Sequence, residues 1–233
     1  MQIIILSGGF GTRLYPLTKN LPKALIQING KPFIEYQLDY LIKKGFKKFH
    51  LCLGFKSNLI VDFISKNQKF NQITTFSEDG EKALGTGGSI IKSYNYLDDI
   101  FCITYGDTLL PINYKKPISF FNKNNFDMVM TIYKNNKITD KYNILYKKNL
   151  IKKYDKGNKI NNLNCIDYGF LITKKEVFKK KYSKGMKVDL VEIINKLIIE
   201  QKVAGYEVKK PFYEIGNHES LKKTSYFILN SLN

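Results

Sequence analysis

Residues 2–13 have the sequence QIIILSGGFGTR. The run from Gln2 to Leu6 predicts a fully buried strand, and the glycines after it predict a loop whose backbone N–H groups let a phosphate approach closely. Arg13 ends this stretch and is the only arginine among 38 basic residues. A guanidinium holds two phosphate oxygens at once and stays charged, so its position indicates phosphate binding. A plain strand-to-helix turn needs fewer glycines and no arginine.

This loop differs from two common phosphate-binding motifs. It lacks the Gly-Lys-Ser/Thr ending of a P-loop, and the dinucleotide-binding fingerprint needs glycine where Leu14 stands. Lys23 follows Pro22 on the same connection and adds a second cation ten residues after Arg13. Alone it would be an ordinary surface lysine, and its spacing from Arg13 makes it a candidate for the same phosphate site.

Beyond the loop, strand-length apolar runs alternate with helix-length amphipathic runs. The pattern predicts strands at 48–53, 73–77 and 101–105 and helices at 32–44, 57–66 and 88–96. Such alternation is typical of βαβ units in an α/β protein with a parallel sheet, whose ligands bind at the carboxyl ends of the strands.

After about residue 125 the character of the sequence changes. Turns rich in asparagine, lysine and glycine separate predicted strands at 127–133, 142–146, 150–154, 168–172 and 203–208, with helices at 174–181, 188–200 and 219–229. We expect extra strands on the same sheet that cover a second ligand moiety. The chain is therefore interpreted as a single domain with a nucleotide-binding half (1–125) and a second half (126–233).

The composition is that of an ordinary folded protein of 233 residues with 43% hydrophobic content. The apolar start is too short for a signal peptide or a membrane span, so we expect a cytoplasmic protein. The three cysteines, Cys52, Cys102 and Cys165, lie far apart in apolar segments and are interpreted as core thiols. His50 and His218 are interpreted as core or surface residues.

The net charge of +18 is compatible with nucleic acid, an anionic membrane or small anionic substrates. The lysines are spread over the whole length, together with many asparagines and isoleucines, which favours biased codon usage as their origin. We therefore expect neither nucleic acid nor membrane as a partner, and a homo-oligomer stays open. A positive field still raises the encounter rate with polyanionic substrates.

Six motifs follow one another in the chain: LSGGFGTRL at 6–14, PLT at 16–18, LPKAL at 21–25, GKPFI at 30–34, LGTGGS at 84–89 and YGD at 105–107. Together they resemble the sugar-1-phosphate nucleotidyltransferases, and the second half of the chain matches more loosely. The resemblance implies a Rossmann-like, GT-A-like three-layer sandwich with a mostly parallel central sheet and a sugar-binding half. It also implies a compact form without the C-terminal β-helix of some relatives.

The resemblance implies that a sugar 1-phosphate attacks the α-phosphate of a nucleoside triphosphate, giving a nucleoside-diphosphate sugar and pyrophosphate. Arg13 would hold the β- and γ-phosphates, and Lys23 would bridge the α-phosphate and the sugar phosphate. The implied nucleotide-binding residues are Leu6, Ser7, Gly8, Gly9, Gly11, Thr12, Arg13, Gly85, Thr86, Gly87 and Gly106.

Asp107 ends an apolar strand and follows Gly106, so it could cap a helix or bind Mg²⁺, a hard cation that takes one or two carboxylates plus phosphate oxygens. Within the ordered motifs we favour Mg²⁺. The resemblance puts a second metal carboxylate at Glu214, where the family usually has aspartate. It also implies that Asp155 and Lys156 bind a sugar hydroxyl and the sugar phosphate, and that Asp167 to Gly169 and Glu192 contact the sugar ring.

The base and the sugar are left open by the motifs. The motifs are most similar to those of compact guanylyl- or uridylyltransferases for mannose-, heptose- or amino-sugar 1-phosphates. This similarity favours GTP with a mannose- or heptose-type sugar 1-phosphate. The YGD motif is also similar to that of cytidylyltransferases. Transfer to a non-sugar phosphate is an alternative. An alternative of another class is a non-catalytic basic module that binds nucleotides or nucleic acid.

Overall fold

A computed structural model describes residues 1–134, 142–157, 162–179 and 185–231. Its strands are β1 (Gln2–Ser7), β2 (Gln27–Ile28), β3 (Lys31–Pro32), β4 (Lys48–Leu53), β5 (Thr74–Glu78), β6 (Ile100–Tyr105), β7 (Thr108–Leu109), β8 (Met128–Tyr133), β9 (Ile144–Lys147), β10 (Leu150–Tyr154), β11 (Ile166–Lys174), β12 (Val203–Val208) and β13 (Tyr213–Glu214). Its α-helices are α1 (Phe33–Lys43), α2 (Ser57–Lys66), α3 (Gln68–Asn71), α4 (Gly85–Lys92), α5 (Lys115–Lys123), α6 (Leu190–Ile199) and α7 (His218–Ser231).

Nine of these strands form one sheet in the order β5-β4-β1-β6-β11-β8-β12-β10-β9. Within it β5, β4, β1 and β6 are parallel neighbours, β11 is antiparallel to both its neighbours, and so is β10. Seven of the nine strands therefore point the same way, which confirms the predicted α/β fold with a mostly parallel sheet. The strands of the second half extend the same sheet, as expected.

The core lies on both faces of the sheet, so β1 is buried on both sides. Ile3 and Ile5 pack with apolar residues of α1 and α2, while Ile4 and Leu6 pack on the other face with residues of α4 and α6. All four are 8% exposed or less. Strands buried on both faces read as continuous apolar runs, which is why residues 2–6 show no alternation. The result is the predicted three-layer arrangement of helices, sheet and helices.

Several boundaries differ from the predictions. The helix predicted at 88–96 begins earlier, at Gly85, and ends at Lys92, and a separate 3₁₀ turn covers Tyr94–Tyr96. The helix predicted at 174–181 is a 3₁₀ turn over Lys175–Phe178, and its last two positions lie outside the described residues. The other predicted elements are present with ends shifted by at most two residues. None of the helices in the described ranges has the length and apolar character needed to cross a membrane.

Candidate functional site

A cavity of about 300 Å³ opens at the carboxyl ends of the parallel strands β1, β4, β5 and β6. This is the edge at which α/β sheets bind their ligands. One wall comes from the loop after β1 and the opposite wall from the start of α4. Cys52 and Asp79 also line the cavity, and Lys23, Tyr105, Gly106 and Asp107 lie at the β6 end.

We call residues 7–11 the first glycine loop. Gly8 and Gly9 line the cavity, and neither is required to be glycine by close packing, because an added Cβ on Gly9 would meet nothing within 4 Å and one on Gly8 nothing within 3.6 Å. Gly11 has φ of 66°, a conformation that favours glycine. The open space beside Gly8 and Gly9 is where a phosphate could approach the backbone.

Arg13, Gly11 and Thr12 lie outside the residues that line the cavity. Arg13 belongs to a 3₁₀ turn over Thr12–Leu14, and its side chain is exposed. Its charge nevertheless reaches Glu214, because it opposes the rise in the pKa of that carboxyl. Arg13 thus lies outside the cavity lining with an exposed side chain near Glu214.

Lys23 and Asp107 form an ion pair at the cavity end, with 2.8 Å between Lys23 Nζ and Asp107 Oδ2. The two side chains are 15% and 27% exposed, so the pair is partly shielded from water. Lys23 begins a 3₁₀ turn after Pro22, and Asp107 follows β6. Residues 84 positions apart in the sequence therefore bring opposite charges to one point.

Glu214 joins this pair through a short antiparallel ladder between β13 and β7. Glu214 lies opposite Thr108, and the Ile215 N–H donates to the backbone oxygen of Asp107 at 2.9 Å. Burial, and next the negative charge of Asp107, raise the pKa of Glu214, while Arg13 and Lys23 act against the rise. Two mutually repelling carboxylates therefore lie among cations, Asp107 in the cavity lining and Glu214 outside it.

This donor set fits Mg²⁺. The ion takes oxygen ligands and commonly binds through one or two carboxylates, with water and phosphate oxygens completing its shell. Asp107 and Glu214 supply two carboxylates whose repulsion a cation would relieve. Among the described residues no group of three or more histidine, cysteine, aspartate or glutamate side chains could hold a metal, so a site built only from protein ligands is not found there.

We call residues 84–88 the second glycine loop. Gly85 and Thr86 line the cavity as predicted. Gly87 lies outside the lining, and its N–H donates to the backbone oxygen of Val188 at 3.0 Å, as does that of Gly88. An added Cβ on Gly85 would lie 2.6 Å from that same oxygen. These glycines therefore let α4 pack against the segment that leads into α6.

Lys156 lies near Tyr105, which lines the cavity. Its Nζ is 3.4 Å from Asp189 Oδ1 and 6.0 Å from the ring centre of Tyr105. Gly169 has φ of 92° and faces the Tyr105 ring, which a Cβ would approach to 3.4 Å. Asp155 Oδ1 accepts a hydrogen bond from Gly157 N, so this side chain shapes the turn after β10.

Glu192 has a structural partner within the fold. Its carboxylate accepts a hydrogen bond from Asp189 N at 3.0 Å, and Asp189 in turn accepts from Val191 N. The two form a capping box at the start of α6. A direct contact between Glu192 and a sugar stays a prediction.

Asp167 is held deeper on the same side. It accepts hydrogen bonds from Tyr154 Oη at 2.6 Å and Gly169 N at 2.9 Å. Burial raises the pKa of Asp167, and these two hydrogen bonds oppose the rise. Its neighbour Tyr105 has its pKa raised well above the usual value, first by burial and then by the charge of Asp167.

Six lining residues are not among the predicted site residues: Phe10, Cys52, Asp79, Ala83, Ser89 and Tyr105. Asp79 had a usable signal, because it follows the predicted strand 73–77 just as Asp107 follows 101–105. The others are apolar or small and become recognisable only through the fold. Of the two histidines, His50 is a core residue between Thr75 and Ser77, and His218 is a surface residue near the backbone oxygen of Tyr15.

The fold is that of an α/β protein with a cavity at the carboxyl edge of its parallel strands, the edge at which such sheets bind ligands. The chain belongs to the nucleotidyl transferase family, whose model matches residues 2–231.

Relatives of known name agree with this assignment. The chain is 30% identical over 244 residues to the bifunctional protein GlmU of Methanococcus vannielii, covering 99% of this chain and 56% of that protein. It is 35% identical over 116 residues to the D-glycero-alpha-D-manno-heptose 1-phosphate guanylyltransferase of Campylobacter jejuni, covering 50% and 52%. The chain thus spans about half the length of the curated relatives it matches.

Solved structures share the fold at lower identity. HddC from Yersinia pseudotuberculosis complexed with GMP-PN has a TM-score of 0.77 and 24% identity, covering 97% of this chain and 98% of that chain. The inositol-1-phosphate CTP transferase from T. maritima has a TM-score of 0.81 and 21% identity, covering 99% and 96%.

Proposed function

We propose that the protein transfers a nucleoside monophosphate from a nucleoside triphosphate to a sugar 1-phosphate, with Mg²⁺ as cofactor. The observation that carries the proposal is the Lys23–Asp107 ion pair at the end of a cavity between two glycine loops. A cation and a carboxylate at that point suit a reacting phosphate and its metal ion. Family membership supports the same reaction type.

In the proposed reaction an oxygen of the sugar 1-phosphate attacks the α-phosphorus of the triphosphate. The bond between the α-phosphorus and the oxygen that bridges to the β-phosphate breaks, and pyrophosphate leaves with that electron pair. Such a transfer asks the protein for positioning and charge neutralisation rather than covalent chemistry. Lys23 serves the α-phosphate and the attacking phosphate, Arg13 the β- and γ-phosphates, and the amide of Gly9, which has open space beside it, the oxygens between them.

Asp107 and Glu214 would hold Mg²⁺, which, when bound, neutralises charge on phosphate oxygens. The Lys23 ammonium lies 2.8 Å from Asp107 and would keep a positive charge beside the same phosphate with the metal bound. Lys156, near Tyr105, is the proposed contact for the phosphate of the sugar, and Asp155, Gly169 and Glu192 are the proposed sugar contacts.

Among the possible substrates we favour GTP with a mannose- or heptose-type sugar 1-phosphate. The Campylobacter jejuni relative, named as a heptose 1-phosphate guanylyltransferase, supports this choice. UTP or CTP with another acceptor gives the same mechanism.

The test measures pyrophosphate release from purified protein with each of the four nucleoside triphosphates and a panel of sugar 1-phosphates, with Mg²⁺ or with EDTA. We expect release with at least one pair, only when both substrates and Mg²⁺ are present. Lys23→Met should lower kcat/KM about a thousandfold, since a positioned donor at developing charge contributes about 3–4 kcal/mol. Lys19→Met, an exposed lysine on the same connection, is the matched control and should keep wild-type turnover.

The absence of pyrophosphate from every pair would refute the proposed reaction, and tight RNA binding by the same preparation would favour the nucleic-acid alternative. Unchanged turnover in Lys23→Met would refute the role of the ion pair.

A further inference from the structure

Asp79 is a carboxylate at the other end of the nucleotide cavity. It follows β5, whereas Asp107 follows β6, and the strand order β5-β4-β1-β6 separates them by three strand spacings. At about 4.8 Å per spacing this is about 14 Å across the edge of the sheet. The cavity thus has one carboxylate beside Lys23 and another at its opposite end, beside Gly8, where the base of a bound nucleotide would lie.

The orientation of the Asp79 carboxylate is fixed by the second glycine loop and α4. Asp79 Oδ2 accepts from Leu84 N at 3.0 Å, and Asp79 Oδ1 accepts from Ser89 Oγ at 2.6 Å. Lys92 Nζ contacts the backbone oxygen of Asp79, at 3.2 Å, instead of neutralising the carboxylate. A carboxylate has about four acceptor positions, so both oxygens can take one more hydrogen bond.

Gly8 lies beside this carboxylate. Asp79 Oδ2 lies 3.7 Å from the position that a Cβ on Gly8 would occupy. Both residues line the cavity, as does Ser89, whose hydroxyl has acceptors in Asp79 Oδ1 at 2.6 Å and the Gly85 backbone oxygen at 2.9 Å. This end of the cavity therefore presents acceptors to a ligand that enters between the two loops.

Guanine is the nucleobase whose donors match the acceptors at the Asp79 end of the cavity. Its Watson–Crick edge carries two adjacent donors, N1–H and the N2 amino group, which can bind one carboxylate side by side. Uracil, cytosine and adenine each place an acceptor next to their donor, and that acceptor would face a carboxylate oxygen. Hydrogen bonds to an ionised acceptor are about twice as strong as neutral ones, so the difference between bases is large.

We infer that Asp79 binds the N1–H and N2 amino donors of guanine and makes the protein select GTP among nucleoside triphosphates. This inference rests on the proposed function for the location of the nucleotide, and it adds the residue and the contacts that choose the base.

The first test needs no variant. Titration calorimetry in the presence of Mg²⁺ compares GTP with inosine triphosphate, which lacks the N2 amino group, and with UTP and CTP. We expect GTP to bind at least tenfold more tightly than inosine triphosphate and about a hundredfold more tightly than UTP or CTP, because a lost hydrogen bond to a charged group costs about 1.5–3 kcal/mol. Equal affinity for GTP and inosine triphosphate, or tighter binding of UTP or CTP, would overturn the inference.

The second test reverses the donor pattern. Asp79→Asn offers one acceptor and one donor, which suits xanthine, with N1–H beside the O2 carbonyl, better than guanine. We expect this variant to bind xanthosine triphosphate more tightly than GTP, the reverse of the wild-type order. Glu81→Gln is the matched control: it neutralises an exposed carboxylate of the same connection, outside the cavity lining, and should keep the wild-type order. Equal weakening of all nucleotides by Asp79→Asn would show that Asp79 only shapes the loop.

The two proposals fail separately. Selective GTP binding without pyrophosphate release from any sugar 1-phosphate would refute the proposed reaction and leave the base contact standing. Pyrophosphate release with UTP or CTP, combined with no discrimination between GTP and inosine triphosphate, would refute the base contact and leave the proposed reaction standing.

Discussion

The two glycine loops face each other across one cavity, yet their glycines serve different purposes. In the first loop, an added Cβ on Gly9 would meet nothing within 4 Å, and one on Gly8 would make only ordinary contacts, none shorter than 3.6 Å. In the second loop, Gly85 and Gly88 each lie so close to another backbone oxygen that an added Cβ would approach it to 2.6 Å. The first loop leaves space for a ligand, and the second uses its glycines to pack helices.

This difference shows why glycine content alone is an ambiguous sign of a binding loop. A glycine with empty space around it gains nothing for the fold, because it costs conformational entropy and packs no side chain. Its presence is therefore better explained by a molecule that the chain must admit. A glycine pressed against backbone is explained by packing, even when its neighbour Thr86 faces the same cavity.

The difference between the two loops is tested most directly by comparing Gly85→Ala with Gly9→Ala. We expect Gly85→Ala to lower the free energy of unfolding by about 3 kcal/mol, because it adds overpacking to a strained φ of 75°. Gly9→Ala should change it by less than about 0.5 kcal/mol and should instead weaken nucleotide binding. Urea unfolding and nucleotide titration measure the two effects. A similar loss of stability in both variants would mean that the loops do not differ in this way.

Arg13→Lys tests whether the residue that follows the first loop acts on a bound ligand rather than on stability. The side chain is exposed, so the free energy of unfolding should stay within about 0.5 kcal/mol of wild type. Turnover should nevertheless fall about a hundredfold, because an ammonium cannot reproduce the two-pronged contact of a guanidinium with phosphate oxygens. Steady-state kinetics with the best substrate pair measures this. Wild-type turnover in Arg13→Lys would exclude the two-pronged contact.

His50, which is linked to the end of α4, allows a test based on the pH dependence of stability. Its ring contacts Ser77 Oγ, which contacts Ser93 Oγ at the end of α4. Burial lowers the pKa of His50 to about 4, whereas an unfolded histidine titrates near 6.5. Between these values the unfolded chain binds more protons, so stability is present above about pH 6.5 and is lost as the pH falls towards 4. At pH 5 the loss due to His50 is about 2 kcal/mol.

Urea unfolding at pH 7 and pH 5 measures this term as the difference in pH dependence between wild type and His50→Asn. The control is His218→Asn, a change at the exposed histidine, which should keep the wild-type dependence. Parallel pH profiles for wild type and His50→Asn would contradict the assignment.

Much of the fold was predictable because its signals are local. The apolar run before the first loop and the alternating strands and helices of residues 48–105 follow directly from periodicity. The helix α5 was missed because Pro117 interrupts its pattern, although proline is tolerated in the first turn, where its N–H has no helical partner. The ladder of β7 and β13 has two residues per strand, too few to produce a pattern.

The site was predictable where a charge stands in a motif, as for Lys23 after Pro22 and Asp107 after β6, which both line the cavity. It was not predictable where the fold, not the residue type, determines the role. Nothing in the sequence around Gly87 states that its N–H is directed at Val188. Nor does the sequence around Glu192 reveal that its carboxylate closes the start of α6.

The short ladder between β7 and β13 also bears on the order of folding. It joins Thr108 to Glu214, and closing so long a loop carries an entropic cost that must be met before the contact contributes anything. The strands β8 and β12, which neighbour each other in the sheet, shorten that loop once they have paired. A molecule whose C-terminal segment is still unfolded therefore has its first glycine loop and Asp107 but lacks the second carboxylate.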